Sequence, residues 1–200
     1  MLDDVLTALR DAGVVDVRIL AGDAAASAAA ADRDLRVVAD PAPGSAPGAD
    51  PDTVGAGGDR SLRAAVDAAL AGLPETATRL VVVADLPCLR ASEIITALTD
   101  PSDVAVAPTS GGGTALLRLA PGVIIPTRYG SQSAQAHAAE AHRAGHSCVL
   151  LELPGAHHDV DAAADLAALE PAHHSSMLGA ATTAFLAHSR GYPRGRFTTT

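Results

Sequence analysis

The stretch LVVVADLP, residues 80–87, constrains the fold of this chain more than any other. Its four leading apolar residues do not alternate with polar ones, which is typical of a strand buried on both faces of a parallel sheet. Asp85 follows this run, and Pro87 lacks the amide hydrogen that would continue strand pairing. Because ligands of open α/β sheets bind at the carboxyl ends of strands, Asp85 is a candidate functional residue. The alternative is that Asp85 only caps a turn.

Helical and extended patterns alternate along the rest of the chain. The spacing of apolar residues predicts helices at 2–12, 61–70, 91–98, 133–144, 162–169 and 178–187, with an alanine-rich helix after residue 23. Strands are predicted at 14–20, 35–38, 104–107, 114–119 and 148–151, and the central strand starts at residue 80 and runs out at Asp85. This order predicts a three-layer α/β fold around a parallel or mixed sheet. Helices of such folds usually connect two strands, so we expect a further strand ahead of residue 1.

The length and composition predict one main domain. A chain of 200 residues that is 48% hydrophobic can bury one core, to which we assign residues 1–170. The segment 40–58 is dense in Pro, Gly, Ala and Asp, which predicts a mobile surface loop. Residues 171–200 are predicted to form a helix followed by a disordered tail.

The charge and the cysteine count argue against several classes of protein. The net charge is −9, and all 14 basic residues are arginines, so we expect no nucleic-acid or anionic-membrane partner. No apolar run approaches the ~20 residues that span a bilayer, and the acidic start MLDDVLTAL is unlike a signal peptide. Two cysteines are too few for a disulfide framework or a zinc site, which favours a reducing cytoplasm.

Two further acids lie in the short segment Asp159-Val160-Asp161. Residues two apart in an extended segment project to the same side, where their charges repel unless a cation lies between them. Oxygen-only ligands suit Mg²⁺, which usually takes one or two carboxylates and completes its shell with water and substrate phosphate. The alternative is that Asp161 caps the following helix and Asp159 is a solvated turn residue.

Two segments have the composition of anion-binding sites. The glycines of GGGT, residues 111–114, can present backbone amides to a phosphate. The segment YGSQS, residues 129–133, opens a predicted helix, whose first amides are free and partly positive. The alternatives are a plain hairpin turn and a helix that Ser133 caps. Arg118 and Arg128 can add positive charge nearby, although a single surface arginine is usually only solvated.

Other chemistries have weaker support. His157 and His158 precede the acidic segment, but adjacent histidines point apart and do not form a metal site readily. Cys88 and Cys148 have no evident catalytic partner, and the GxSxG motif of α/β-hydrolases does not occur.

The chain resembles the guanylyltransferases of coenzyme F-420 biosynthesis in four motifs that occur in the same order. They are VVVADLP, GGGT-ALL, YGSQS with His137 four residues later, and DVDAAADL. The resemblance covers residues 2–169. It implies a Rossmann-like, three-layer nucleotidyltransferase fold with a mostly parallel sheet. It also implies an enzyme that joins GTP to phosphoenolpyruvate or 2-phospho-L-lactate and releases pyrophosphate.

The resemblance assigns roles to six residues. Asp85, Asp159 and Asp161 would be catalytic residues that hold Mg²⁺ and, through it, the carboxylate of the phosphorylated three-carbon acid. Thr114, Gly130 and Ser133 would contact the phosphate of the same acid.

Two departures from the family concern the nucleotide half of the site. The family begins with a strand and a lysine-bearing loop, whereas this chain contains no lysine. The family commonly has a Leu-Asn-Ala segment where this chain reads DRSLRAA, residues 59–65. The alternatives are an N-terminally truncated enzyme and a degenerate homologue that binds Mg²⁺ and the acid without GTP.

Overall fold

The structure is a computed structural model that describes residues 1–22, 24–39, 56–161, 165, 169 and 177–190. Most of the predicted loop at 40–58, most of the predicted helix at 162–169 and the predicted disordered tail from residue 191 lie outside the described residues.

Six helices and six strands alternate along the described chain. The helices are α1 (Leu2–Asp11), α2 (Ala24–Ala31), α3 (Ala56–Ala71), α4 (Ala91–Thr99), α5 (Ser133–Arg143) and α6 (Ala180–Arg190), with a 3₁₀ turn at Pro154–Ala156. The strands are β1 (Arg18–Ala21), β2 (Arg36–Ala39), β3 (Arg79–Val82), β4 (Val104–Pro108), β5 (Thr114–Leu119) and β6 (Cys148–Leu150). None of the described helices has the length and apolar run needed to cross a membrane.

The strands form two sheets. Strands β1 and β2 pair in parallel, and the larger sheet has the order β3-β5-β4-β6. Strand β5 is antiparallel to both β3 and β4, while β4 and β6 are parallel, so three strands of this sheet share one direction. The reversed strand follows from the short glycine turn between β4 and β5, because so short a connection joins antiparallel strands only. The α/β fold class is confirmed.

Helices cover both faces of the larger sheet and make the three layers. Successive residues of a strand point to opposite faces, and Leu116 and Leu117 of β5 accordingly enter two different apolar clusters. The first cluster includes Val5, Leu9, Leu86, Leu89, Ile94, Ala107 and Leu116. The second includes Val66, Leu70, Val104, Val106, Leu117, Val123 and Ala141. Thus α1 and α4 cover one face, and α3 and α5 cover the other.

An apolar cavity of about 340 Å³ separates the two sheets and is lined by residues of both β1 and β3. Leu80, Val81 and Val82 are half-buried as a result. Leu80 and Val82 pack against the first apolar cluster and Val81 against the second, so both faces are covered as predicted, but the strand is half-buried rather than fully buried. Strand β3 pairs with β5 along one edge, and its residues 80–82 line the cavity. The predicted strand at 14–20 also starts later than expected, since Val15 is 98% exposed and regular pairing begins at Arg18.

The C-terminal helix α6 is attached to the first helix. The Asp4 carboxylate accepts hydrogen bonds from the amides of Ala181 and Thr182, at 2.8 and 2.9 Å, and from the Thr182 hydroxyl at 2.6 Å. These amides belong to the first turn of α6, where backbone donors have no partner within the helix. Asp4 thus caps a helix that is about 180 residues away in sequence.

Candidate active site

Strand pairing brings Asp85 and Thr114 to one edge of the larger sheet. The register pairs Val82 with Leu116, and the Val83 amide continues the pairing by donating to the Ala115 carbonyl at 3.1 Å. Because the two strands are antiparallel, the residues after Val83 leave the sheet where β5 begins, at Thr114.

Two backbone hydrogen bonds bring the acidic segment 157–161 to the same edge. The Val160 amide donates to the Asp85 carbonyl at 3.2 Å, and the Ser110 amide donates to the His157 carbonyl at 3.1 Å. The segment therefore lies between the end of β3 and the turn that precedes β5. Three motifs that are far apart in sequence meet here.

The Asp85 carboxylate has an environment that disfavours its charge. Its Oδ1 atom is buried and has no hydrogen-bond partner. Burial, followed by the negative charges of Asp161 and Asp159, holds the pKa of Asp85 above its ordinary value, although a backbone hydrogen bond partly opposes this shift. A bound cation would relieve both the desolvation and the repulsion.

The donor chemistry of this edge fits a hard cation such as Mg²⁺. All three acids offer oxygen ligands, and the orphaned oxygen of Asp85 provides one that is not otherwise engaged. Among the residues that the structure describes, however, no three His, Cys, Asp or Glu side chains lie close enough together to form a complete metal centre. Asp159 is half-buried and Asp161 is exposed. The acids therefore interact electrostatically but are not closed into a finished coordination cage.

The alternative role of Asp161 as a helix cap concerns residues that are mostly outside the described ones. The Asp161 amide donates to the Asp165 carboxylate at 3.1 Å. It spans four residues, whereas a capping box joins residues three apart, so it is not that motif.

The glycine turn packs directly on the start of α5. Gly112 has φ of +80°, and a Cβ atom added there would lie 2.6 Å from Nε2 of Gln132. The Gly112 carbonyl accepts a hydrogen bond from the Ala134 amide at 3.3 Å. Glycine at this position thus permits both the backbone conformation and the close approach.

Ser133 does not cap α5. Gln132 is the N-cap residue, with φ of 55°, and makes no capping hydrogen bond with its side chain. Ser133 is the first helical residue, and its hydroxyl instead lies 2.9 Å from Oγ1 of Thr114. Both hydroxyls are almost fully buried. The interpretation of Ser133 as a helix cap is therefore wrong, and two of the predicted phosphate-binding side chains are in contact. Gly130 lies just ahead of them, and its carbonyl accepts a hydrogen bond from the Ser133 amide at 3.2 Å.

His137 is the residue whose role the sequence analysis missed. It is completely buried, and its Nδ1 atom lies 3.0 Å from Oγ1 of Thr114. Its Nε2 atom accepts a hydrogen bond from the Arg128 amide at 2.8 Å. Burial lowers the pKa of His137 to about 4, so the ring is neutral at physiological pH. The signal was the four-residue spacing from Ser133, which places both side chains on one face of a helix.

The two arginines suggested as sources of nearby charge have different positions. Arg118 is 2% exposed and donates to the carbonyls of Ala97, Ser102 and Asp100, at 3.0, 2.7 and 2.7 Å. It closes the end of α4 at the far end of β5, so its suggested role near the anion site is wrong. Arg128 is adjacent to the site, but its side chain is paired with Glu140 at 2.8 Å.

Comparison with known proteins identifies the family. A sequence model of the family described as "Guanylyl transferase CofC like" matches residues 51–183, which include all six predicted site residues. The chain belongs to this family. The resemblance found in the four motifs is thereby confirmed, and with it the prediction of a guanylyltransferase.

Relatives of this guanylyltransferase carry consistent names. A phosphoenolpyruvate guanylyltransferase of Roseiflexus castenholzii is 33% identical over 176 residues, which cover 86% of this chain and 75% of the relative. One of Salinispora arenicola is 42% identical over 91 residues, covering 43% of this chain and 41% of the relative. A 2-phospho-L-lactate guanylyltransferase of Halobacterium salinarum is 37% identical over 166 residues, covering 83% of this chain and 67% of the relative. The matched stretches thus span from 41% to 75% of these relatives' lengths.

A solved structure supports the fold of this guanylyltransferase. The crystal structure of a protein described as a nucleotide-diphospho-sugar transferase from Desulfovibrio desulfuricans G20 has a TM-score of 0.63 and covers 95% of this chain and 81% of its own. At 20% identity the likeness shows the fold alone. The predicted Rossmann-like nucleotidyltransferase fold is confirmed.

Proposed function

We propose that this protein joins GTP to a phosphorylated three-carbon acid, phosphoenolpyruvate or 2-phospho-L-lactate, and releases pyrophosphate. The names of the relatives from Roseiflexus and Halobacterium support this choice of substrates. The substrates are also anionic, and an anion with a carboxylate and a phosphate needs two kinds of partner. A cation held by acids suits the carboxylate, and hydroxyls with free amides suit the phosphate.

One observation carries the proposal: the buried, unpartnered oxygen of Asp85 lies beside the acidic segment at the sheet edge where the Thr114–Ser133 hydroxyl pair begins. A buried charge without a partner costs stability, so its retention indicates a functional site. Asp85, Asp159 and Asp161 would hold Mg²⁺ there. When bound, the ion would neutralise charge on the carboxylate and phosphate oxygens of the substrates.

The phosphate of the acid is assigned to the start of α5. The hydroxyl pair of Thr114 and Ser133 would contact it, and Gly130 would contact the phosphate through its backbone. The N-terminus of a helix favours anions because its first amides have no partner within the helix and carry partial positive charge.

The proposed reaction needs no nucleophile from the protein. An oxygen of the acid's phosphate attacks the α-phosphorus of GTP, and the bond between the α-phosphorus and the bridging oxygen of the β-phosphate breaks. Pyrophosphate leaves with the electron pair of that bond. The described residues would therefore act by positioning the attacking phosphate and by compensating charge. The net charge of −9 supports the proposal that this cytoplasmic enzyme has no nucleic-acid partner.

The test is a substrate panel. Each of the four ribonucleoside triphosphates is incubated with Mg²⁺ and either phosphoenolpyruvate, 2-phospho-L-lactate or 3-phosphoglycerate, and the products are separated by mass spectrometry. We expect a guanylated product with GTP and one of the first two acids. Saturable acid binding without any nucleotidyl transfer would instead support a degenerate homologue that does not use GTP. The observation that favours this alternative is the absence of lysine from the chain, since the family has a lysine-bearing loop. Transfer from another nucleotide alone would overturn the guanylyl assignment.

A further inference from the structure

The hydrogen bonds of His137 determine which ring nitrogen carries the proton. A backbone amide can only donate, so Nε2, which lies 2.8 Å from the Arg128 nitrogen, must accept. A neutral imidazole with Nε2 as acceptor has its hydrogen on Nδ1. Nδ1 therefore donates and cannot accept; Oγ1 of Thr114 lies 3.0 Å away, and the Ser133 backbone is a second hydrogen-bond partner of the ring.

The surrounding residues hold this arrangement in place. The ring of Tyr129 packs edge-on against that of His137, with 4.9 Å between the ring centroids. The Arg128 side chain is bound to Glu140 of α5, and the Thr127 amide donates to Asp67 of α3 at 2.9 Å. The segment that supplies the Arg128 amide is thus fixed from two helices. Burial keeps the pKa of His137 at about 4, which prevents a second ring proton from forming at neutral pH.

The tautomer determines how many hydroxyl hydrogens the neighbouring Thr114–Ser133 pair can donate to a ligand. The hydroxyls of Thr114 and Ser133 carry two hydrogens, and their mutual contact of 2.9 Å uses one. Because Nδ1 cannot accept a hydrogen bond, the histidine consumes neither of them. One hydroxyl hydrogen is left over, and the hydrogen bonds of the described residues give it no acceptor. With the opposite tautomer, Thr114 would donate to Nδ1 and the pair would have no hydrogen to spare.

We propose that His137 is a positioning residue: as the Nδ1–H tautomer it makes the Thr114–Ser133 hydroxyl pair a net hydrogen-bond donor toward a phosphate oxygen of the acid substrate. This inference rests on the proposed function and adds a residue to it. It also gives the site a preference for a group that only accepts hydrogen bonds, such as a fully ionised phosphate, over a group that only donates them.

A matched pair of variants separates this role from simple support of the backbone. In His137→Asn the amide nitrogen can occupy the place of Nδ1 and donate to Thr114, while the acceptor for the Arg128 amide is lost. In His137→Gln the amide oxygen can reach the place of Nε2 and accept from Arg128, while the donor that orients the Thr114 hydroxyl is lost and this hydroxyl can turn its hydrogen away from the ligand. The exposed His142, replaced by Gln, is the control for the change of residue type.

The measurement is the dissociation constant of phosphoenolpyruvate with Mg²⁺ by calorimetry, with the melting temperature and the KM for GTP measured in parallel. We expect His137→Gln to weaken binding of the acid on the order of tenfold or more, the usual effect of a lost hydrogen bond to a charged group. His137→Asn should recover most of that loss, and the KM for GTP should stay within twofold in both. Equal losses for the two variants, or a loss confined to Asn, would overturn the inference.

A spectroscopic experiment checks the tautomer without substrate. In ¹⁵N-labelled protein, we expect the His137 Nδ1 signal to be that of a protonated nitrogen and the Nε2 signal that of an unprotonated one, unchanged between pH 5 and 8. A ring that carries its proton on Nε2, or that titrates near 6.5, would contradict the inference while leaving the proposed function intact. A wild-type protein that binds no phosphorylated acid would sink both.

Discussion

The Val160 amide donates a hydrogen bond to the Asp85 carbonyl at 3.2 Å, and this contact places the acidic segment next to the acid at the end of β3. It is made between backbones, so it does not depend on a metal ion or on the charge of either side chain. The three acids are therefore brought near one another by the fold itself. Their mutual repulsion is a cost that the protein carries before any ligand arrives.

We expect Asp85→Asn to stabilise the protein in the absence of metal. The substitution removes a half-buried charge whose Oδ1 atom has no partner, so the free energy of unfolding should rise by about 0.5–2 kcal/mol. Urea unfolding in EDTA measures it, with the exposed Asp11→Asn as the control for net charge. Added Mg²⁺ should then stabilise the wild type but not Asp85→Asn. A loss of stability in Asp85→Asn without metal would contradict this account.

The affinity for Mg²⁺ should depend on pH. Burial and the neighbouring acids raise the pKa of Asp85, so its proton competes with the cation at higher pH than that of an ordinary aspartate. The metal-free folded state gains stability on protonation of Asp85, and this gain is lost as pH rises through the raised pKa. Mg²⁺ titrations between pH 4.5 and 8 should show affinity that falls as pH falls. A constant affinity across this range would be inconsistent with ligation by Asp85.

Gly112→Ala should impair binding of the acid as well as stability. Its φ of +80° costs an alanine about 1–2 kcal/mol, and the new methyl group would displace the side chain of Gln132, the N-cap residue of α5. Gly122→Ala is a matched control, because φ is +81° there and no atom lies within 4 Å of the added carbon. Both variants should lose similar stability in chemical unfolding, and only Gly112→Ala should bind phosphoenolpyruvate more weakly. Equal affinities would separate the glycine turn from the phosphate site.

Asp4 should matter for stability in a pH-dependent way. Burial raises the pKa of Asp4, but hydrogen bonds from Thr182 and Ala181 outweigh it and leave the pKa below its ordinary value. The ionised carboxylate therefore contributes stability above about pH 4, and this contribution is lost as pH falls through the lowered pKa. Asp4→Ala should cost about 1–3 kcal/mol at pH 7, because two amides in the first turn of α6 lose their acceptor.

Urea unfolding at pH 7 and at pH 3 tests this prediction. The difference between wild type and Asp4→Ala should shrink at the lower pH. Asp3→Ala, which breaks a surface pair with Arg33, is the neighbouring control and should have a much smaller effect. Similar losses for both variants at pH 7 would show that the capping contact is not decisive.

The sequence predicted those parts of the protein that depend on local patterns. The order of helices and strands and the glycine turn before Thr114 were predicted from apolar spacing and turn residues. Asp85 was found because an acid is unusual directly after an apolar run that is predicted to be buried. Its partners Asp159 and Asp161 were found as a pair, but their approach to Asp85 follows from a long-range backbone contact with no local signature.

The features that the sequence did not predict depend on tertiary contacts. Ser133 had the position of a helix cap, but the helix begins at Ser133 itself and its hydroxyl contacts Thr114 at the start of β5. Arg118 was suggested as a source of charge near the anion site, with a solvated surface position as the alternative, and instead its guanidinium satisfies carbonyls at the end of α4. Strand β5 is buried along its whole length, including Arg118, and the carbonyls that make this possible come from residues 97–103, which are distant in sequence.

The central claim is that Asp85 takes part in guanylyl transfer. The most direct test measures pyrophosphate release from GTP and phosphoenolpyruvate with Mg²⁺ for the wild type, Asp85→Asn and Asp11→Asn. We predict release by the wild type and Asp11→Asn at comparable rates, and a loss on the order of a hundredfold or more in Asp85→Asn. Asp85→Asn that releases pyrophosphate as fast as the wild type would contradict the account, because the acid at the end of β3 would then have no part in the reaction.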